Sequence, residues 1–384
     1  MTKQYKLKCF LPLTSAQHIK HIILKGCIIS SLVTLVACGD SNNNDTNNSD
    51  DFSSPVNNET ISLSESTLPE GFAFEQDISA SFSSDIPYGS DDRNVLDIFM
   101  PESEEPTPLI IYVHGGGFFT GQKEHAYFTP LDINETLSEG VAYATINYSL
   151  IDVPGFTPDV TNPDAEGVGK SLSDVKEALQ FLRYNAKSFN IDPSNVAMYG
   201  VSAGAGSSLW LALSDDMIDE NSENPLAQQS TRIRAAGAIE TQGSYDLLRW
   251  ETDILTSAGF TLETAIQIGF EDFLAAFYGL DSLSGAELIA AIREEDGQLA
   301  DFRASLDFPA LMDVYDPPLF IANTIVPAEF SLDLNALLHF PTHASVLMEY
   351  ANASGIDNVS NIPQLGVIEP TGATIIPFLI GNLE

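Results

Sequence analysis

An α/β architecture, with a mostly parallel central sheet flanked by helices, is what this sequence predicts, and three observations carry the prediction. From about Glu75 onward, short apolar runs alternate with helical stretches, the order in which parallel sheets are built. Leu109–Val113 is a continuous, partly β-branched apolar run, as expected of a strand covered on both faces. Beyond the first 37 residues there is no internal repeat and no further long apolar segment, so the 384 residues hold enough ordinary core-forming sequence for one large domain.

The elements follow in order. Asn94–Met100 alternates through Val95, Asp97 and Phe99, a strand; Leu109–Val113 and Val141–Tyr148 are the next two. Leu172–Ser188 carries Val175, Leu179, Phe181 and Leu182 at helical spacing and leads to Asn190-Ile191-Asp192-Pro193. Asn195–Tyr199 is then a strand and Ala203–Leu213 a helix, with further strands at Ile233–Ile239 and Leu319–Ala322. Between those last two, residues 244–316 are mostly helical in pattern, with Phe270, Phe273, Leu274 and Phe277 followed by Leu288 and Ile292. An insertion there reads as a helical cap over the carboxyl edge of the sheet, where ligands enter such folds; a purely structural helical pair is the alternative. The Thr371–Leu383 run is apolar enough to pack on the core.

The amino terminus has a different character. Residues 1–37 contain Lys3, Lys6, Lys8, Lys20 and Lys25, no acid, and an apolar run from Cys27 to Ala37, the make-up of an export signal too short to span a membrane. The run closes on Leu35-Val36-Ala37-Cys38, which resembles the lipobox of bacterial lipoproteins and implies lipid attachment at Cys38. Gly39, rather than an Asp, then points to the outer membrane of the cell envelope. Residues 38–74 are expected to be a flexible tether, since Gly39–Asn58 is rich in Ser, Asn and Asp, and residues 75–384 the folded domain.

Charge and cysteine content exclude several classes. With 54 acidic against 16 basic residues and a net charge of −38, the surface repels nucleic acid and anionic headgroups, so membrane contact is expected through the lipid alone. The three cysteines are Cys9 and Cys27, lost with the signal, and Cys38, which leaves no disulfide or thiolate metal site. The few histidines lack ligand-like spacing, so neither metal nor cofactor is expected.

The strongest chemical motif is Gly200-Val201-Ser202-Ala203-Gly204, between the Asn195–Tyr199 strand and the Ala203–Leu213 helix. Small residues around Ser202 let a strand turn sharply into a helix and project the hydroxyl above the sheet, the setting of a nucleophile elbow. The N–H of Ala203 opens that helix, where partial positive charge favours a developing oxyanion. The second motif, His114-Gly115-Gly116-Gly117-Phe118, directly follows the Leu109–Val113 strand. Side-chain-free residues can aim the Gly115 and Gly116 N–H groups at one point beside that of Ala203, an oxyanion hole.

Together with Val95–Pro101 and Asn190–Pro193, these motifs make the stretch from about Arg93 to Leu213 similar to α/β-hydrolase fold carboxylesterases with an HGGG oxyanion loop, near the hormone-sensitive-lipase-like and feruloyl-esterase-like groups. The resemblance implies an α/β-hydrolase fold, a small ester substrate and an acyl-enzyme on Ser202. Asn147-Tyr148-Ser149-Leu150 stands where the family carries Asp-Tyr-Arg-Leu, which removes a structural Arg. The larger departure concerns the base. The family places its acid after the seventh strand and its His after the eighth, yet no His lies beyond His343. Of those left after the signal, His114 belongs to the oxyanion loop, and His125 opens a surface helix. His343 begins a helix after Pro341 and is expected to face solvent or a neighbouring loop. His339, in a loop two residues before Pro341, is the candidate base. Its carboxylate partner is expected to be Glu329, with Asp333 or Glu240 as alternatives, because Ala322-Asn323-Thr324-Ile325 has no acid where the family has Gly-x-x-Asp. Two readings result: a lipid-tethered serine esterase, or a non-catalytic descendant with a degenerate triad that binds an ester, peptide or glycan.

Overall fold

In the computed structural model, which describes residues 60–154, 167–326, 329 and 333–383, eight strands make one sheet. In chain order they are β1 (Ala80–Pro87), β2 (Val95–Pro101), β3 (Thr107–Val113), β4 (Ala142–Ile146), β5 (Ile191–Val201), β6 (Ala236–Ile239), β7 (Leu319–Ala322) and β8 (Asn358–Asn361). Across the sheet the order is β1-β2-β4-β3-β5-β6-β7-β8, with β1–β2 and β2–β4 antiparallel and every pairing from β4 through β8 parallel.

Helices cover both faces: α1 (Pro130–Ser138), α2 (Val168–Tyr184), α3 (Ala186–Phe189) and α4 (Ala203–Leu213) precede β6. Between β6 and β7 come α5 (Leu262–Gln267), α6 (Glu271–Phe277), α7 (Gly285–Ile292), α8 (Gln298–Ala304) and α9 (Phe308–Leu311); α10 (Leu334–Leu338), α11 (Pro341–Ser354) and α12 (Ile375–Ile380) complete the chain. The alternation of side chains along β3 divides the core in two. Leu109, Ile111 and Val113 meet α2 and α4 through Val175, Leu179 and Leu209. Ile110 and Tyr112 point the other way, towards Ile133 and Leu137 of α1 and Ile376 and Leu379 of α12. Fully buried strands on both faces are what the apolar runs required.

Several boundaries differ from the sequence expectation. The single helix expected over Leu172–Ser188 is two, α2 and α3, broken at Asn185 (φ −98°, ψ 20°). The strands β1 and β8 were not anticipated: β1 reads Ala-Ser-Phe-Ser-Ser-Asp-Ile-Pro with an irregular register, and β8 is four half-buried residues added beside β7. Their pairing, not their composition, makes them strands. The expected tether over 38–74 is corrected where it is described. Phe72 is buried among Phe82 and Phe99, Ile61 and Leu63 pack on the core, and the Ile61 N–H donates to Ser188 Oγ at 3.0 Å. Apolar residues interspersed in an otherwise polar segment are enough to dock it. The export segment 1–37 and Cys38 lie outside the described residues, among which no helix is long and apolar enough to cross a membrane.

Candidate active site

The chain changes direction across the sheet at β3. It leaves β3 by α1 to reach β4 on one side, then crosses by α2 to β5 on the other. Because α1 and α2 lie on opposite faces, a crevice opens at the carboxyl ends of β3 and β5. His114–Gly117 leave one strand there and Ser202 leaves the other.

Ser202 sits at φ 55° and ψ −117°, a conformation that costs a non-glycine residue roughly 1–3 kcal/mol. Its neighbours over-determine the turn. The Ser202 N–H donates to the Ile239 carbonyl at 2.8 Å, tying the turn to β6. A Cβ at Gly204 would stand 2.0 Å from the Val113 carbonyl oxygen, and one at Gly200 2.6 Å from the same atom, so only glycines let α4 lie this close to β3. The hydroxyl projects towards His339, which lies between α10 and α11. Ser202 Oγ and His339 Nε2 are 2.8 Å apart, and His339 Nδ1 is 2.9 Å from the Asn335 carbonyl oxygen. A carbonyl can only accept, so Nδ1 carries the proton and Nε2 is free to accept from Ser202. Burial lowers the His339 pKa from 6.5, although its bond to the Asn335 carbonyl works the other way. The ring is therefore neutral, as a base must be, at neutral pH.

The glycine loop abuts this turn. A Cβ at Gly115 would lie 2.7 Å from the Val201 carbonyl oxygen and 3.3 Å from Ser202 Cβ. Gly116, Gly117 and Phe118 all have positive φ, which turns successive amides in the same short loop. The Ser202 N–H is committed to β6, while the Ala203 N–H begins α4, where no intrahelical carbonyl is available. His114 is buried and does not reach the hydroxyl: its ring stacks on Tyr148 at 4.2 Å, its Nδ1–H donates to the Gly115 carbonyl at 2.8 Å, and burial pushes its pKa down to about 3. It braces the loop. His125 is half-buried on the 3-10 helix Lys123–Phe128, its ring 6.0 Å from that of His114.

Beside Ser202 and Ala203 lies a small, mostly apolar pocket. Gly117, Phe118, Tyr245, Trp250, Phe273 and Phe277 form much of its wall. Sequence reasoning had not placed Gly117 or Trp250 here; the aromatic run after β6 was the available signal. Most of this wall comes from the stretch between β6 and β7, which sets the aromatic face over the carboxyl edge of the sheet.

Comparison with known proteins adds to this geometry. The BD-FAE family model matches residues 96–269. Gut esterase 1 of Caenorhabditis elegans is 34% identical over 155 residues, which is 40% of this chain and 26% of that protein. Para-nitrobenzyl esterase of Bacillus subtilis (strain 168) is 26% identical over 225 residues, 58% of this chain and 42% of that protein. The chain thus spans well under half the length of these curated relatives. Among solved structures, a truncated carbohydrate esterase from gut microbiota superposes with a TM-score of 0.50 at 17% identity, covering 75% of this chain and 88% of that one.

The chain has the α/β-hydrolase fold. Within that fold its departures become specific. His339, the candidate base, stands between β7 and β8, where the family's acid is expected, and no carboxylate meets its ring among the described residues. Glu329, the expected acid, is exposed, and a main-chain carbonyl occupies Nδ1 instead. Asp333 caps α10, accepting from the Ala336 N–H at 3.2 Å. Glu240 follows β6 at φ 50°, and one of its oxygens accepts from the Thr324 N–H at 2.5 Å, the Thr324 hydroxyl at 2.9 Å and the Ile325 N–H at 3.1 Å. Asp333 and one Glu240 oxygen are thus bonded elsewhere, and Glu329 faces solvent. Of the two settings expected for His343, solvent or a neighbouring loop, the structure has the second: the ring is fully buried against Gly243 of the loop after β6 and against Trp250. The Arg missing after Tyr148 has a substitute in Arg93, whose guanidinium donates to the carbonyls of Tyr148 and Gly121, each at 2.9 Å.

Proposed function

We propose that this α/β-hydrolase is a serine carboxylesterase acting on small esters. Ser202 Oγ attacks the ester carbonyl carbon as its proton passes to His339 Nε2. Negative charge on the carbonyl oxygen meets the N–H groups of Gly115, Gly116 and Ala203, with Gly117 beside them. Collapse expels the alcohol, which takes the proton from His339, and leaves an acyl group on Ser202. Water, deprotonated by the same nitrogen, then attacks the acyl carbon; collapse breaks the acyl–Oγ bond, His339 returns the proton to Ser202 Oγ, and the acid leaves.

The observation that carries this reading is the 2.8 Å contact between a strained serine hydroxyl and an imidazole whose other nitrogen is already committed as a donor. The aromatic pocket beside Ser202 suits a short apolar acyl group or a small aryl one, because Phe118, Tyr245, Trp250, Phe273 and Phe277 line it closely. Its relatives' names support ester hydrolysis in general. Mixed with p-nitrophenyl acetate or butyrate, the purified protein is expected to release a burst of about one p-nitrophenolate per chain. A fluorophosphonate should then block turnover and appear by peptide mass spectrometry on Ser202. Turnover that survives complete labelling of Ser202 would remove the proposal.

The proposal extends to the cell envelope: Cys38 carries the lipid, supported by the Leu35-Val36-Ala37-Cys38 sequence behind a basic, apolar leader. Mass spectrometry of the natively expressed protein should find a diacyl or triacyl cysteine at its amino terminus. An unmodified terminus downstream of Cys38 would discard lipid anchoring and leave the esterase reading untouched.

A further inference from the structure

The end of α10 is held by an unusual set of side chains. This helix has five residues, too few to be stable alone; it carries in its first turn the Asn335 carbonyl that orients the His339 ring, and His339 itself just past its carboxyl end. The carbonyls that follow are each taken by a side chain from a different element. His343 Nε2 lies 3.0 Å from the Leu337 oxygen, and Gln242 Nε2 donates to the Leu338 oxygen at 2.9 Å. Asn323 Nδ2 donates to the His339 oxygen at 3.4 Å. These elements are α11 and the loops after β6 and β7.

His343 is the hub. The Gly243 N–H donates to its Nδ1 at 3.0 Å, so the ring is neutral with its proton on Nε2, directed at Leu337. Its face meets Trp250 of the pocket wall, with ring centres 4.7 Å apart, and a Cβ at Gly243 would stand 2.8 Å from the His343 carbonyl oxygen. One buried imidazole thereby joins the β6 loop, the substrate pocket and the turn that carries the base.

We infer that His343 is a positioning residue for His339, and that with Gln242 and Asn323 it supplies through the backbone the ring orientation a carboxylate supplies in a Ser–His–acid triad. This rests on the reading of Ser202 and His339 as nucleophile and base. In a triad the acid fixes the imidazole tautomer and stabilises the imidazolium. Here the Asn335 carbonyl fixes the tautomer, and because it belongs to a short helix its place is only as definite as the bonds that hold the following carbonyls. Without a full negative charge, orientation has to come from geometry. Burial pushes the His343 pKa down to about 3, so this strut is neutral at neutral pH.

The test compares wild type, Ser202→Ala, His343→Phe, His343→Gln, Gln242→Met and Glu329→Gln on p-nitrophenyl butyrate, with folding checked by circular dichroism. His343→Phe is expected to lower kcat by about 10²-fold, the scale of a misplaced catalytic group, with KM within about threefold. The midpoint of its acid limb should move up towards 6.5 as the loosened ring meets water. His343→Gln, which retains a side-chain N–H for Leu337, should recover about tenfold of the loss. Gln242→Met should show the same movement of the midpoint with a saturating rate lowered about tenfold, and it carries the test alone if His343→Phe does not fold. Glu329→Gln should stay within about twofold of wild type. Wild-type rates and midpoints in the folded His343 and Gln242 variants, while Ser202→Ala is inactive, overturn the positioning inference and spare the esterase. A loss of about 10⁴-fold in Glu329→Gln overturns it too, by returning the role to a carboxylate. Turnover that persists in Ser202→Ala removes the esterase reading itself.

Discussion

Ser202→Ala and His339→Ala should each lower kcat on p-nitrophenyl butyrate by about 10⁴–10⁶-fold, and the double variant should lose little more than either single one. The reason is mechanical. The hydroxyl has no use without an acceptor for its proton, and Nε2 has no proton to take without the hydroxyl 2.8 Å away. Two groups that act in one step fail together. The same pair dictates the pH profile. In the proposed mechanism a neutral His339 is the base, and burial holds its pKa below 6.5. Activity therefore rises with pH through a midpoint below 6.5 and stays level above it, because deprotonation creates the active form. Steady-state kinetics of the three variants, and of wild type from pH 4 to 8, check both statements. Multiplicative losses in the double variant would mean that the two residues act independently; a midpoint above 7 would mean a different base.

The second large effect concerns stability rather than chemistry. Gly204→Ala adds one methyl group where a Cβ would lie 2.0 Å from the Val113 carbonyl oxygen and 2.7 Å from that of His114. Both are backbone atoms of the central strand and the loop that leaves it, so no side chain can swing aside. Relief requires α4 to move away from β3, at a cost of roughly 3 kcal/mol, the upper range for overpacked cores. The same movement draws Ser202 from the glycine loop and His339. Urea unfolding should show a lowered midpoint, and turnover should be lost well below the concentration at which the chain unfolds. A variant with parental stability and parental rate would show that the close approach of α4 to β3 is not what holds the turn.

The parts of this protein that could be read from sequence are those encoded by neighbouring residues. Leu109–Val113 declares itself a buried strand by composition, and Ala203–Leu213 a helix by its position after a glycine-flanked serine. Ser202 was legible because five consecutive residues specify its turn. The strands β1 and β8 were not, since serine- and asparagine-rich segments become strands only when a partner edge is present. His339 emerged from a short roster of histidines, and the loop before Pro341 gave a reason to prefer it. Its partner could not have emerged that way. A search for an acid inspects side chains, and the atom that meets Nδ1 is the carbonyl of Asn335, which every residue type possesses.

His343 illustrates the same limit from the other side: a position after Pro341 left solvent and a neighbouring loop equally open, and only the packing of α11 against Gly243 and Trp250 turns that ring inward. By itself, then, the sequence determined the parallel sheet, the sharp turn at Ser202 and the glycine loop, all of which follow from local backbone preferences and apolar periodicity. Tertiary structure alone decided what orients the base, which acids stand aside and which aromatic side chains wall the pocket. Those outcomes depend on where separate loops meet in space, and main-chain carbonyls leave no trace of their partners in the order of residues.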